Sequence, residues 1–249
     1  MRLLITGLNG TLAPHLARVA RAAGAQVLPW PREVVDPADE AASALFLQRM
    51  RPDAIAHLGM GSEAWAQRLS AYAAIHHLPF LFTSSAMVFH HEPDGPHGKA
   101  SPRNAQDEYG RYKIRCEEAI WQVNTAACVA RIGWQIDGAA QGNNMLAALD
   151  QWQANEGKVA ASRLWIPACS FMEDTAQALW QLLAERAQGL FHLDSNSTEA
   201  WRFDELVLAL KHHFARDWQV AVTESYGHDQ RLTGDEARLP PLSQRLIRP

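Results

Sequence analysis

The 249-residue chain has little cysteine, no excess of positive charge and no long apolar run. Cys116, Cys128 and Cys169 are odd in number, widely spaced and form no Cys-x-x-Cys pair. That pattern excludes a disulfide framework and points to reduced thiols. The formal net charge is −4 and no basic block stands out, which argues against nucleic acid or an anionic membrane as partner. No window reaches the length of a membrane span, and the apolar start at Met1 meets glycines too soon for a secretory signal. A cytoplasmic globular protein is the expectation. With 47% hydrophobic and 20% charged residues, the composition is that of an ordinary soluble enzyme, large enough for one domain with an appended subdomain.

What is present begins at once. Residues 1–13 read MRLLITGLNGTLA, an apolar run, a turn of small residues and the start of a helical pattern. Thr6-Gly7-x-x-Gly10-x-x-Ala13 has the spacing of a dinucleotide-binding loop. In such loops the first glycine permits the tight turn, the second lets backbone approach a pyrophosphate, and a small third residue lets the helix pack on the strand. The helix N-terminus then offers N–H groups and a positive dipole end to phosphates. Alone, the match is also that of an ordinary βα turn.

Strand and helix patterns alternate through the first half. Strands are expected over 2–6, 26–29, 53–58, 80–84 and 126–132, and helices over 11–23, 63–77 and 109–123. A further helix is expected to open at Asp36-Pro37, with Asp36 as cap, and to run to Met50. Residues 87–106 hold five prolines and glycines and no apolar period, so a long loop of functional character is expected. The fold class is therefore α/β, a Rossmann-type doubly wound parallel sheet with ligands at the strand C-terminal ends. The second half is less regular, with helices over 144–155, 173–187 and 202–213, extended pieces at 158–161, 189–193 and 218–222, and a proline-rich tail expected to fold back. This divides into a nucleotide-binding domain, 1–134, and a smaller substrate-binding subdomain, 135–249, with segments interleaved.

Tyr109-Gly-Arg-Tyr-Lys113 is the second strong signal. Positions i and i+4 share a helix face, so the phenol and the ammonium of Tyr109 and Lys113 can face one cleft. A neighbouring ammonium favours phenolate and suits the tyrosine for proton transfer. Ser85, in Phe82-Thr83-Ser84-Ser85-Ala86, stands at the rim where ligands bind in such sheets, although a polar strand cap reads the same way.

Together these residues resemble the extended short-chain dehydrogenase/reductase family, in the branch of dTDP-4-dehydrorhamnose reductase and its sugar-nucleotide-binding relatives. The resemblance is carried by Thr6-Gly7-x-x-Gly10, Arg51-Pro52-Asp53, Thr83-Ser84-Ser85-x-x-Val88-Phe89 and Tyr109-Gly110-x-x-Lys113 followed by Glu117. Arg131-x-x-Trp134, Gly142-Asn143-Asn144-Met145, Pro167 before Glu173-Asp174-Thr175-Ala176, Gly189-Leu190-Phe191-His192-Leu193 and Trp201 extend it along nearly the whole chain. It implies that Tyr109 is the general acid for a carbonyl oxygen, that Lys113 tunes Tyr109 and holds the nicotinamide ribose, and that Ser85 hydrogen-bonds the carbonyl oxygen. It places Gly7, Asn9, Gly10, Thr11, Leu12, Arg32, Leu58, Gly59 and Lys113 at the cofactor. Met87, His90, Trp134 and Asn143 (or its neighbour Asn144) are candidate substrate contacts.

No acid follows the second strand before Glu33, and Arg32 can accommodate a 2′-phosphate, so NADP is expected, with NAD the alternative and a merely solvated arginine the bland reading. Three positions depart from the family pattern: Ala13 replaces the third glycine, Met87 stands where the rhamnose reductases carry a tyrosine, and the stretch from Leu58 to Phe80 is short. That stretch contributes to cofactor cover and dimer packing in relatives, so its shortness leaves both cofactor affinity and oligomeric state open; a homodimer is one candidate assembly, and a nucleotide sugar is the expected small-molecule substrate. The pairs His76-His77, His90-His91 and His212-His213 lack a ligand pattern, so no metal site is expected. Arg163 is a candidate diphosphate contact or a solvated arginine. Three functions stay open: an NAD(P)H-dependent reductase of a sugar nucleotide or similar polar carbonyl, an epimerase or dehydratase of the same family, and a non-catalytic dinucleotide-binding regulator.

Overall fold

The computed structural model describes residues 1–139 and 141–249. In chain order the elements are β1 (Arg2–Thr6), α1 (Leu12–Ala22), β2 (Gln26–Pro29), α2 (Glu40–Met50), β3 (Ala54–His57), α3 (Glu63–Ile75), β4 (Phe80–Ser85), α4 (Glu108–Val123), β5 (Cys128–Ile132) and β6 (Trp134–Ile136). They continue with α5 (Met145–Glu156), β7 (Val159–Ser162), β8 (Trp165–Ile166), β9 (Cys169–Phe171), α6 (Met172–Ala184), β10 (Gly189–Leu193), α7 (Phe203–His213), β11 (Val220–Thr223) and β12 (His228–Asp229). Among the described residues no helix is long and apolar enough to cross a membrane.

The chain forms two compact units that interleave in sequence. The first comprises Met1–Ser84, Asp107–Ala130 and Ala176–Phe191, the second Ser85–Gln106, Arg131–Thr175 and His192–Pro249. The central sheet has six parallel strands in the order β10-β5-β4-β3-β1-β2. Thus β1 lies between β2 and β3, and the strand order reverses there, making the β1/β3 junction a topological switch point. Thr6 and His57, the last residues of these two strands, are partners in the register. Sheets covered on both faces need apolar strands, and β1, β3 and β4 supply Leu3, Leu4 and Ile5, then Ala54, Ile55 and Ala56, then Phe80, Leu81 and Phe82, all buried. Trp30, Phe46, Trp65, Leu69, Tyr112, Cys116 and Ile120 pack with Leu4, Ile55, Phe80 and Phe82 of these strands in one core cluster of the first unit.

Capping places the helices. Asp107 accepts from the Gly110 N–H at 2.8 Å and starts α4, and Ser62 accepts from the Trp65 N–H at 3.2 Å and starts α3. The helix expected to open at Pro37 starts instead at Glu40. Asp39 is its cap, accepting from Ala42 N–H at 2.9 Å, whereas Asp36 closes a separate turn through the Ala38 N–H at 2.8 Å.

Among the described residues the second unit has three two-stranded pairs, β6 with β9, β7 with β11 and β8 with β12, and a core that includes Met145, Leu149, Trp201, Phe203, Leu206 and Trp218. The C-terminal tail does fold back: Leu242 and Leu246 are buried in that core.

Candidate functional site

The glycine-rich loop leaves β1 as a tight turn closed by the Gly10 N–H to the Gly7 carbonyl at 2.8 Å. Gly7 has φ +81°, and a Cβ there would stand 2.8 Å from both the N and Cα of Gly59. Two backbones therefore meet with no room for a side chain, one from the β1–α1 loop and one from the loop after β3. Thr6 joins them further, because its Oγ1 accepts from the N–H groups of Leu58 at 3.1 Å and Gly59 at 2.9 Å. Asn9 is exposed in the loop, Thr11 occupies the N-cap of α1 without a side-chain capping bond, and Leu12 is the first, buried residue of that helix. No acidic residue lies in the first turn of α1. A helix end of this kind favours an anion.

Arg32 lies exposed beyond β2. It donates to the Met60 carbonyl at 2.8 Å, and its guanidinium sits 5.7 Å from the Trp65 ring centroid. The loop after β3 is tied on its other side to α4, where the Gly61 N–H donates to Tyr112 Oη at 3.2 Å.

On α4 the two tyrosines divide their work. Tyr112 is buried in the core, and burial raises its phenol pKa. Tyr109 is 41% exposed, while Lys113 on the same face is 3% exposed. The Lys113 ammonium donates to the Thr83 carbonyl at 2.8 Å and lies 5.7 Å from the Tyr109 ring centroid and 4.7 Å from that of Phe82. Burial pushes the Lys113 pKa down to about 8, so it remains mostly charged at neutral pH. An ammonium taken out of water beside a surface-facing phenol is an arrangement suited to proton transfer. The first unit thus brings together Gly7, Gly10, Leu58 and Gly59 around Thr6, and Tyr109 with Lys113.

The remaining candidates belong to the second unit. Ser85 is buried, and its Oγ accepts from the Met87 N–H at 3.1 Å. Met87 is exposed, with its Sδ accepting from Gln230 Nε2 at 3.5 Å. The His90 N–H donates to Asn104 Oδ1 at 2.9 Å, and its ring lies 3.8 Å from that of His91. Trp134 is half-buried and stacks on Trp165 and Phe203 at 6.1 and 6.3 Å. Asn143 is exposed, whereas Asn144 is buried, caps α5 through the Leu146 N–H at 2.9 Å and donates to the Asp137 carbonyl at 2.8 Å. Arg163 is paired with Glu224.

Sequence reasoning missed His57 and the carbonyl of Thr83. The signal for His57 was a histidine closing the apolar run Ala54-Ile55-Ala56, since a buried imidazole needs a partner. A backbone carbonyl carries no sequence signal.

Residues 60–228 match the family model of the RmlD substrate binding domain. The chain belongs to that family. The match includes Ser85, Tyr109 and Lys113 and begins beyond the glycine-rich loop. No curated protein matches the chain's sequence. Among solved structures, the chain is similar to a dTDP-4-dehydrorhamnose reductase from Bacillus anthracis in complex with NADP, with TM-score 0.83 and 14% identity over 98% of this chain and 96% of that one. A reductase of the same name from Clostridium acetobutylicum gives 0.77 and 18% over 90% and 84%. A UDP-glucose 4-epimerase from Thermus thermophilus, in complex with NAD, gives 0.71 and 15% over 96% and 91%. The resemblance read from the sequence is borne out for family and fold, and the Rossmann-type sheet of this RmlD-family member is shared with all three.

Proposed function

We propose that this RmlD-family protein is an NADP(H)-dependent reductase that reduces a keto group of a sugar nucleotide or similar polar carbonyl compound, with NAD an alternative cofactor. The observation that carries the reading is Lys113, a buried ammonium hydrogen-bonded to the Thr83 carbonyl with its charge beside the exposed Tyr109. Burying a charge is costly, and a fold retains one where the charge has work to do.

The residues fit a dinucleotide. The Gly7–Gly59 approach is a cradle that a single Cβ would fill, α1 begins beside it without a side-chain cap, and Arg32 is a cation at the end of β2. In this reading the first unit holds the cofactor, with Gly7, Asn9, Gly10, Thr11 and Leu12 at the pyrophosphate. Leu58 and Gly59 lie along it, Arg32 takes the adenosine 2′-phosphate and Lys113 the nicotinamide ribose. The cofactor, when bound, supplies the hydride. Tyr109 donates the proton to the carbonyl oxygen, and Lys113 keeps positive charge next to the phenol as that proton leaves. Ser85 is assigned a hydrogen bond to the same oxygen, stabilising developing negative charge. The second unit supplies the substrate contacts, with Met87, His90, Trp134 and Asn143 as candidates. Met87 in place of the reductases' tyrosine means that its sugar need not be theirs.

The test is turnover of a panel of nucleotide-linked keto sugars followed by NADPH absorbance. Tyr109→Phe is expected to lower kcat by at least about 100-fold, the scale of general acid catalysis, while NADPH affinity stays within a few-fold. Unchanged turnover in the variant refutes the mechanism. Product formed without net NADPH consumption identifies an epimerase or dehydratase instead, and tight NADPH binding without turnover of any carbonyl compound identifies a regulator.

A further inference from the structure

β3 ends on an imidazole sealed inside the sheet. His57 is fully buried, edge-on to Trp65 at 4.6 Å and stacked on Phe82 at 5.6 Å between ring centroids. Its Nδ1 lies 2.8 Å from Thr6 Oγ1. A hydroxyl has one proton and two lone pairs, and in Thr6 both lone pairs are taken by the N–H groups of Leu58 and Gly59. The Thr6 proton must therefore go to His57 Nδ1, which fixes the imidazole as neutral with its own proton on Nε2. Electrostatics agree: burial, then the charges of Lys113 and Arg32, lowers the His57 pKa to about 3. Nε2 has no hydrogen-bond partner among the described residues. The only hydrogen bond of the imidazole among the described residues is thus with the threonine that opens the glycine-rich loop.

The chain of contacts runs one way. His57 orients the Thr6 hydroxyl, the hydroxyl holds the Leu58 and Gly59 amides, and Gly59 is thereby seated against Gly7. We propose that His57 is a positioning residue of the dinucleotide site, acting through Thr6 to set the two loops at the β1/β3 switch point at the separation a dinucleotide requires. The inference rests on the cofactor reading above. It demands an acceptor at the position of Nδ1 and nothing else of the imidazole. Asparagine can place Oδ1 near that point, whereas leucine fills the volume without an acceptor.

NADPH titration of the full chain, followed by fluorescence and calorimetry, separates the possibilities. His57→Leu is expected to weaken binding about tenfold, the contribution of one net hydrogen bond, and His57→Asn to stay within about threefold of wild type. Thr6→Val is expected to weaken binding as much or more, and the Thr6→Val/His57→Leu double variant no further than Thr6→Val alone, because both act through one hydroxyl. Ile120→Val, a buried change elsewhere in the first unit, serves as the reference for lost stability and should leave NADPH affinity unchanged. If the wild type binds neither NADPH nor NADH, the cofactor reading fails. If the wild type binds and His57→Leu binds equally well, or His57→Asn is as weak as His57→Leu, the positioning role is overturned. Should His57→Leu not fold, Thr6→Val carries the test, and unchanged affinity there overturns the proposal.

Discussion

Two glycines with nearly the same backbone angle make a controlled experiment. Gly7 has φ +81° and Gly24 has φ +80°, so alanine meets a similar left-handed penalty of about 1–2 kcal/mol at either position. They differ in surroundings. Among the described residues a Cβ on Gly24 meets nothing within 4 Å, whereas one on Gly7 would stand 2.8 Å from two backbone atoms of Gly59 and 3.0 Å from the carbonyl carbon of Leu58. Backbone cannot rotate aside as a side chain can. Forcing such a contact costs a further ~1–3 kcal/mol by the measure of overpacked cores. Gly24→Ala should therefore lose about 1 kcal/mol once the stiffer unfolded chain is counted, and Gly7→Ala, with the same correction and the contact added, about 2–4 kcal/mol.

Urea unfolding at a common slope reads the stability difference, and NADPH titration under folded conditions reads the loop. Gly24→Ala should bind NADPH as the wild type does. Gly7→Ala should lose binding, because the only relief for its Cβ is to move the two loops apart. Gly10→Ala completes the series: its Cβ would meet only the Gly7 carbonyl, at 3.1 Å, so affinity should suffer more than stability. If Gly7→Ala is within 0.5 kcal/mol of Gly24→Ala (about the scatter expected between independent surface changes) and still binds NADPH, the close-approach argument is wrong.

Two further outcomes follow from buried titratable groups. Lys113, with its pKa lowered to about 8 from an ordinary value of 10.5, destabilises the fold by an amount absent above pH 10.5 and complete below pH 8. Lys113→Met should abolish turnover yet raise stability at pH 7 by ~1–2 kcal/mol, less than the full ~3 kcal/mol because the Thr83 carbonyl loses its donor. That advantage should shrink at pH 10, and a variant less stable than wild type at pH 7 refutes the account. Acidification should destabilise the protein from pH 6.5 downward. His57 is lowered to about 3 and His192 and His228 to about 4, each chiefly by burial, so their stabilising contribution is full above 6.5 and lost towards those values. Asp194, raised to about 7 by burial, works in the opposite sense, leaving a net loss of about 2–3 kcal/mol per pH unit between 6 and 4.5. A urea midpoint that stays flat from pH 7.5 to 5 contradicts it.

Much of the first unit was legible because its signals are local. Small residues at fixed spacing mark the loop after β1, and the i, i+4 spacing of Tyr109 and Lys113 marks the helix face that carries both. Where a local signal misleads, the sequence reading errs. Asp36-Pro37 reads as a helix start and proves to be a turn closed by the Asp39 N–H to the Asp36 carbonyl at 3.0 Å, with the helix opening at Glu40. Strands of two or three residues, such as β6, β8, β9 and β12, are too short to show a period. The role of His57 was illegible for another reason. Its partner Thr6 lies 51 residues away, and only the register of β1 on β3 puts the two side by side.

That register exposes a pattern repeated in neighbouring strands. β1 runs Leu3-Leu4-Ile5 and closes on Thr6, β3 runs Ala54-Ile55-Ala56 and closes on His57, and β4 runs Phe80-Leu81-Phe82 and closes on Thr83, Ser84 and Ser85. All of these polar residues are buried, so none is polar for the sake of solvent. Apolar residues of similar size would serve stability at least as well, because a buried hydroxyl or imidazole only recovers in hydrogen bonds what it loses in desolvation. Two of these polar atoms do not even recover that: His57 Nε2 and Ser84 Oγ lack partners among the described residues. A switch from apolar to polar at the same end of three adjacent parallel strands is a violation of core patterning, and such violations gather at functional sites. The end concerned is the carboxyl end, where open α/β sheets bind their ligands. The polarity of these strand ends thus supports the proposed ligand site independently of the glycine spacing and of Tyr109 and Lys113, and it points to the same carboxyl end of the sheet.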